Sequence, residues 1–305
     1  MIPLTDLYID PKLLARVRAK VLSVIDSKDY ILGKELVKFE KAFESFIGTK
    51  FAIGVANGTD AVRLALRSLG IGPGDKVLTV AFTSPFTVLA IIEEGAIPVF
   101  CDVDSDTMTI DVSDARKKLD SQVRAIIPVH LYGNPCNMDE IVKFCRKNNL
   151  ILIEDACQAH GAIYKGTPVG NFGKACAFSF YPTKNLGAMG DAGMLVTNDA
   201  KVDARVRKLR HGGQSKRFWH EFSGINSRLD EIQAVILSAK LKLLKAQNNQ
   251  RRKLAKRYRK KFSDLPIKLQ ESFGGSQSVY HLFVIRTKKR RQLKEFLFRR
   301  KIISA

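Results

Sequence analysis

The stretch FAIGVANGTDAVRLAL, residues 51–66, joins a short apolar run to a helical pattern across an Asn-Gly-Thr junction. FAIGV is apolar throughout rather than alternating, as expected of a strand covered on both faces. Gly58 and Thr59 directly follow it and open a helix predicted over 59–69. A helix start placed at a strand end offers free N–H groups and the positive end of the helix dipole to an anion, and Thr59 adds a hydroxyl. The same residues also read as an ordinary capped helix, with Asn57 or Thr59 as the cap. Either way the stretch is one strand–helix unit.

The unit repeats along the chain. Further strand candidates are KVLTV (76–80), PVFCDV (98–103), AIIPVH (125–130), ILIED (151–155), ACAFSF (175–180) and GMLVT (193–197), with helical segments at 84–94, 113–119 and 137–148 between them. Strands alternating with helices predict an α/β domain with a mostly parallel central sheet flanked by helices. In such sheets ligands bind beyond the carboxyl ends of the strands. After about residue 226 the pattern changes to a long helix reaching about 262, short strands IKLQ and VYHLFVIR, and a basic terminal helix. This predicts a large domain over 1–240, with an N-terminal arm at 1–25, and a smaller, incomplete α+β domain over 241–305.

Composition bounds the function. No apolar run is long enough to span a membrane, and the N-terminus lacks the basic-then-apolar order of a signal peptide. The five cysteines are scattered, with no C-x-x-C spacing, which argues for a reducing compartment, cytoplasm by default, and against a metal site. The net charge of +21 is unevenly spread: residues 1–200 hold 22 basic and 23 acidic side chains, and residues 201–305 hold 29 and 7. A nucleic-acid footprint is one reading of that excess. A solvated helix face is the plainer one, with Leu241, Leu244, Leu254 and Tyr258 as its buried stripe.

Two further stretches carry chemistry. In IEDACQAHG, Asp155 ends an apolar strand, so its carboxylate needs a cationic or hydrogen-bonding partner, and Gln158 follows three residues later. In FSFYPTKNLGAMGDAG, residues 178–193, Ser179 lies at a strand end and Lys184 in a loop whose glycines at 187, 190 and 193 let backbone approach a bulky group. An amine is nucleophilic only when neutral, a form favoured by desolvation or a neighbouring cation. Alone, Asp155 also reads as a helix cap and Lys184 as a surface lysine. Together, a phosphate cradle, a strand-end carboxylate and a loop lysine match what pyridoxal 5'-phosphate requires.

The chain resembles the DegT/StrS-type pyridoxal-phosphate aminotransferases, which make amino sugars on nucleotide carriers. PLTDLYID, NGTDAVRLALRSLGIGPGDKVLT, GAIPVFCDVD, IPVHLYGNPCNMDEI, IEDACQAHGA, SFYPTKNLGAMGDAGM and GINSRLDEIQAVIL follow in family order and cover nearly the whole chain. The resemblance implies a fold-type-I architecture and a homodimer with shared active sites. It implies Lys184 as the internal-aldimine lysine, Asp155 as partner of the pyridine nitrogen and Gln158 beside the ring hydroxyl. Gly58, Thr59 and Ser179 are implied as phosphate contacts, with Asn226 reaching the phosphate from the neighbouring subunit and Arg228 as an anion contact. Lysine at 184, where some members carry histidine, implies transamination rather than sugar dehydration. The expected substrates are L-glutamate and a nucleotide-linked keto-sugar.

Two positions depart from the family pattern. VAFTSPFTVLA places Ser84 where many members have the aromatic that stacks on the ring, leaving Phe82 or Phe86 for that role. The chain also ends after KEFLFRRKIIS, where the family continues with a histidine- and proline-containing segment, as expected of a fragment, a frameshifted product or a shortened homologue. The alternatives are an inactive or regulatory homologue with a basic nucleic-acid-binding surface, or a fold-type-I enzyme acting on another keto substrate. No reactive-cysteine loop supports desulfurase-like chemistry. Nucleic acid and membrane are not expected partners.

Overall fold

Helix α1 (Pro11–Ser27) starts where Asp10 accepts the N–H groups of Lys12 and Leu13 and proline presets the first turn. Helix α2 (Lys34–Ile47) begins at Gly33, which has no side chain to cap it. Its cap comes from far along the chain. The carboxylate of Glu231, 1% exposed, accepts the N–H groups of Gly33 (3.0 Å), Glu35 (2.7 Å) and Leu36 (2.9 Å). Glu231→Ala would strand three donors and is expected to cost about 2–4 kcal/mol, read as a lower urea midpoint with unchanged slope.

The computed structural model describes residues 1–305. After α2 the chain forms β1 (Phe51–Val55), α3 (Gly58–Ser68), β2 (Lys76–Val80), α4 (Pro85–Glu93), β3 (Ile97–Cys101), α5 (Val112–Lys117) and β4 (Val123–Ile126). A single 3₁₀ turn at Leu131–Gly133 leads to α6 (Met138–Asn148), β5 (Ile151–Asp155), the short β6 (Ile163–Tyr164) and β7 (Thr167–Pro168), β8 (Ala175–Ser179), β9 (Gly193–Thr197) and α7 (Ala200–Leu209). A hairpin of β10 (Gln214–Lys216) and β11 (Trp219–His220) precedes the long α8 (Glu231–Lys261). The chain closes with β12 (Lys268–Leu269), β13 (Ser276–Gln277), β14 (Ile285–Arg286) and α9 (Arg290–Arg299).

Seven strands form one sheet in the order β1-β9-β8-β5-β4-β2-β3, and only β9 runs against the rest. The expected mostly parallel sheet is therefore present. One face packs Phe39 and Phe43 of α2 against Phe178 and Phe180, with the Phe43 and Phe178 rings edge-on at 5.2 Å. The other face packs Ala61, Val62 and Ala65 of α3 against Ile53, Ile153 and Leu195. Both faces are dry, which is why the strands read as continuous apolar runs.

Two expectations about the last third need correction. Of the stripe on α8, Leu241 and Leu244 are buried, but Leu254 and Tyr258 are 50% and 47% exposed, and the Tyr258 ring stacks on Phe262 at 5.5 Å instead. VYHLFVIR is strand only at Ile285–Arg286. Its first residues give their backbone to a distant turn, with the Val279 N–H donating to Gly133 O (3.0 Å) and the His281 N–H to Tyr132 O (2.8 Å). Helix α1 packs along α8, and α8 runs unbroken past residue 240.

Candidate active site

The parallel register puts the ends of β1, β5 and β8 at one edge of the sheet, where Gly193, the first residue of β9, pairs with both Val55 and Ser179. Asp155 closes β5 and is 5% exposed. Its Oδ2 accepts the Thr87 hydroxyl (2.7 Å) from the first turn of α4, and its Oδ1 accepts the Cys157 N–H (3.0 Å). A carboxylate has about four acceptor sites, so two bonds orient it and leave room for a further donor. Gln158 uses Oε1 to accept the Tyr132 N–H (2.8 Å), which leaves its NH₂ group to donate elsewhere.

Above this edge α3 begins. Asn57 is the cap, its side chain accepting the Asp60 N–H (2.8 Å), and Gly58 and Thr59 keep N–H groups that no side chain accepts. The cap therefore uses other donors than the ones a helix start can offer to an anion. Gly58 has to be glycine, because a Cβ there would stand 2.8 Å from both the Ser179 Cβ and the Cys157 Sγ. Gly193 is equally constrained, with a Cβ meeting the Asn57 carbonyl at 2.3 Å. The two contacts draw Gly58, Ser179 and Cys157 into one small area beside Asp155.

Lys184 lies half-buried in the loop after β8, tied by its N–H to Tyr181 O (2.8 Å), and its Nζ makes no ion pair. Its charge reaches Cys157, His160 and His281. Burial, then Asp155, pushes the Cys157 thiol well up, so this cysteine is no nucleophile. His160 is wholly buried between the Phe178 and Phe180 rings (5.4 and 5.6 Å), and neither ring nitrogen has a hydrogen-bond partner. Burial first and Lys184 second lower both His160 and His281 to about 3. Because these values lie below the ordinary one, the unfolded chain takes up protons between about pH 6.5 and 3 that the folded chain refuses. Stability is therefore expected to hold above about pH 6.5 and to fall as pH drops, by up to about 1.4 kcal/mol per unit for each histidine. Melting temperatures between pH 7.5 and 4.5 check this, and His160→Gln should flatten the slope.

Asn226 and Arg228 flank Ser227, which is bonded to the chain just before the α3 start. Asn226 pairs its backbone with His211, Ser227 accepts the Ala56 N–H (3.0 Å), and Arg228 Nη1 sits 3.2 Å from His211 Nδ1. No hydrogen bond joins Asn226 or Arg228 to Asp155, Gln158, Ser179 or Lys184. Of the two aromatic candidates, Phe82 packs edge-on against Tyr132 (6.2 Å) and Phe86 is 58% exposed on α4, while Ser84 is the backbone cap of that helix. Thr87, Tyr132 and His160 were not singled out from the sequence. Tyr132 is marked only by its backbone, at φ +60°, which nothing in LYG announces.

A model of the DegT/DnrJ/EryC1/StrS aminotransferase family matches residues 11–305. The chain belongs to that family. It is 42% identical over 287 residues to a dTDP-3-amino-3,4,6-trideoxy-alpha-D-glucose transaminase of Streptomyces venezuelae, covering 94% of this chain and 76% of that one. It is 43% identical to a dTDP-3-amino-3,6-dideoxy-alpha-D-galactopyranose transaminase of Aneurinibacillus thermoaerophilus, covering 97% and 82%. The crystal structure of S. venezuelae DesV in complex with a ketimine intermediate superposes with a TM-score of 0.96 at 42% identity, covering 99% of this chain and 82% of that one. Membership favours an enzyme over a nucleic-acid-binding protein, and no helix is long and apolar enough to cross a membrane.

DegT/DnrJ/EryC1/StrS aminotransferases depend on pyridoxal phosphate, and the residues of this chain fit that group. The fit rests on the glycine-lined helix start, the spare acceptor capacity of Asp155, the free Gln158 NH₂ and the unpaired Lys184 amine. The two unpartnered nitrogens of His160 add an unsatisfied polar group behind the same loop.

Proposed function

We propose that this aminotransferase moves an amino group from L-glutamate to a keto-sugar carried on a nucleoside diphosphate, with pyridoxal phosphate bound at the sheet edge described above. The observation that carries the reading is the convergence of Asp155, Lys184 and the Gly58 helix start on one strand edge. The N–H groups of Gly58 and Thr59, with the hydroxyls of Thr59 and Ser179, hold the phosphate. Asp155 holds a proton at the ring nitrogen, oriented for it by Thr87. Gln158 donates toward the ring hydroxyl, and Lys184 anchors the group and moves the proton at the reacting carbon. Bound there, the cofactor supplies an electrophilic carbonyl carbon and an electron-withdrawing ring.

Lys184 favours transamination over dehydration, because the step needs a neutral amine that both bonds to carbon and carries a proton. The overall exchange balances as L-glutamate and keto-sugar nucleotide giving 2-oxoglutarate and amino-sugar nucleotide. Both relatives described above are named for a 3-amino sugar on dTDP, so a dTDP-linked 3-keto hexose is the first acceptor to test. Asn226 of the partner subunit completes the phosphate site in a homodimer, with Arg228 as an anion contact. Asn226 makes no bond to the site of its own chain, and α4 presents Phe86, Leu89 and Ile92 outward. The cofactor-binding unit over 1–240 and the smaller unit over 241–305 then meet inside α8. The amino sugar would serve surface-polysaccharide synthesis in the cytoplasm, where five free cysteines remain reduced.

The test is a panel of dTDP- and UDP-linked keto-sugars incubated with L-glutamate, following 2-oxoglutarate. Product with at least one sugar is expected. Absence of product across the panel, from protein that also stays colourless after incubation with pyridoxal phosphate, overturns the reading.

A further inference from the structure

The loop that follows Lys184, residues 185–190, contains neither helix nor strand, so its shape is set from outside. One face of α8 does this. Gln233 accepts the Met189 N–H (2.9 Å) and donates to Met189 O (3.2 Å). Lys240 donates to Gly187 O, and Asn248 accepts an N–H of the Asn185 side chain (3.0 Å). Steps of seven and eight residues are about two helical turns each, so the three side chains form a single polar stripe along the loop.

Asn248 is the member of this stripe with most at stake. It is 2% exposed in the interior of a helix, where asparagine is a poor helix former and an unpaired amide would be costly. Both halves of its amide are used, the oxygen for Asn185 and the nitrogen for His160 O (2.8 Å). Asn185 in turn donates to Val279 O (3.1 Å) and lies 3.3 Å from His281 Nδ1. Val279 and His281 hold the turn at Tyr132–Gly133, and the Tyr132 N–H orients Gln158. A continuous set of hydrogen bonds therefore runs from α8 to the backbone beside Lys184 and on to Gln158.

We propose that Asn248 is a positioning residue for the active site: through Asn185 it sets the backbone next to Lys184, and through residues 279–281 it sets the turn that holds Gln158. The inference rests on the reading of Lys184 as the cofactor-anchoring lysine. It assigns the segment after residue 240 a task in the chemistry although none of its residues is among the cofactor contacts. Leucine would fill the same space as Asn248 without either hydrogen bond.

The experiment compares wild type, Asn248→Leu and Glu231→Gln, the last being a destabilised control whose carboxylate caps α2 away from the site. Two readouts are taken. One is the Kd for pyridoxal phosphate by equilibrium dialysis. The other is the pH profile of Lys184 acetylation by acetic anhydride, read by mass spectrometry on protein freed of cofactor. Asn248→Leu is expected to raise the Kd roughly five- to tenfold, the worth of about one hydrogen bond, and to shift the acetylation profile. Glu231→Gln should lower the melting temperature and move neither readout. Asn185→Ala combined with Asn248→Leu should add little beyond either alone, since both break one path. Asn248→Ser takes its place where leucine prevents folding. A wild-type Kd and profile in Asn248→Leu, equal shifts in Glu231→Gln, or additive effects in the double variant overturn the proposal. Wild-type protein that binds no cofactor overturns the proposed function instead, and the acetylation profile still decides the positioning role.

Discussion

Lys184→Ala is expected to remove 2-oxoglutarate formation, with a loss of roughly 100- to 10,000-fold from the proton-transfer role alone. Losing the anchoring amine lowers the rate further, because a covalent route no longer exists. The fold should survive the change. Lys184 is half-buried, makes no ion pair and ties to its loop only through backbone, so alanine leaves no buried group unpaired. Removing a cation beside His160 and His281 even relieves part of what holds those rings uncharged. A melting temperature equal to wild type when both proteins are freed of cofactor, together with loss of the visible absorbance of bound cofactor, is the expected pair of results. Lys184→Arg should fail in the same way, since a guanidinium keeps the charge but offers no neutral amine. Turnover in Lys184→Ala within tenfold of wild type would sink the assignment.

The parts of this molecule that can be read in its sequence are those decided within a few residues. Apolar runs such as ILIED and GMLVT are strands because both sheet faces are covered, and that demand is written in each run. Asp155 ends a strand and Gly58 and Lys184 follow shortly after one, and the parallel order then brings those ends together. What could not be read depends on pairs far apart in the chain. Glu231 capping α2, Thr87 bonding Asp155, and Asn248 bonding Asn185 each join residues 63 or more positions apart. VYHLFVIR misleads for the same reason. Its composition suits a strand, but its backbone partners are Tyr132 and Gly133, in a turn whose left-handed residue no local pattern signals. On α8, Leu254 and Tyr258 turn off the face that carries Leu241, Leu244 and Asn248, and it is Ala255 that continues that buried face.

Asp155 separates structure from chemistry more sharply than any other position, because its two substitutions should fail differently. Asp155→Ala leaves the Thr87 hydroxyl and the Cys157 N–H without an acceptor in a buried place, at a cost of about 1–3 kcal/mol for each donor. Asp155→Asn keeps the shape and one acceptor oxygen, so the Thr87 bond and most of the stability should persist. Yet asparagine carries no charge to hold a proton at a ring nitrogen. Its rate should therefore fall by roughly 100- to 1,000-fold, the usual loss when an oriented electrostatic partner is removed. Thermal melts and 2-oxoglutarate formation on the same preparations distinguish the two. Were Asp155 only the acceptor that pins α4 to β5, Asp155→Asn would keep near-normal turnover and Asp155→Ala would lose stability and rate together. Thr87 and Cys157 each take one acceptor site on a different carboxylate oxygen, so the charge is expected to act through the sites that are left.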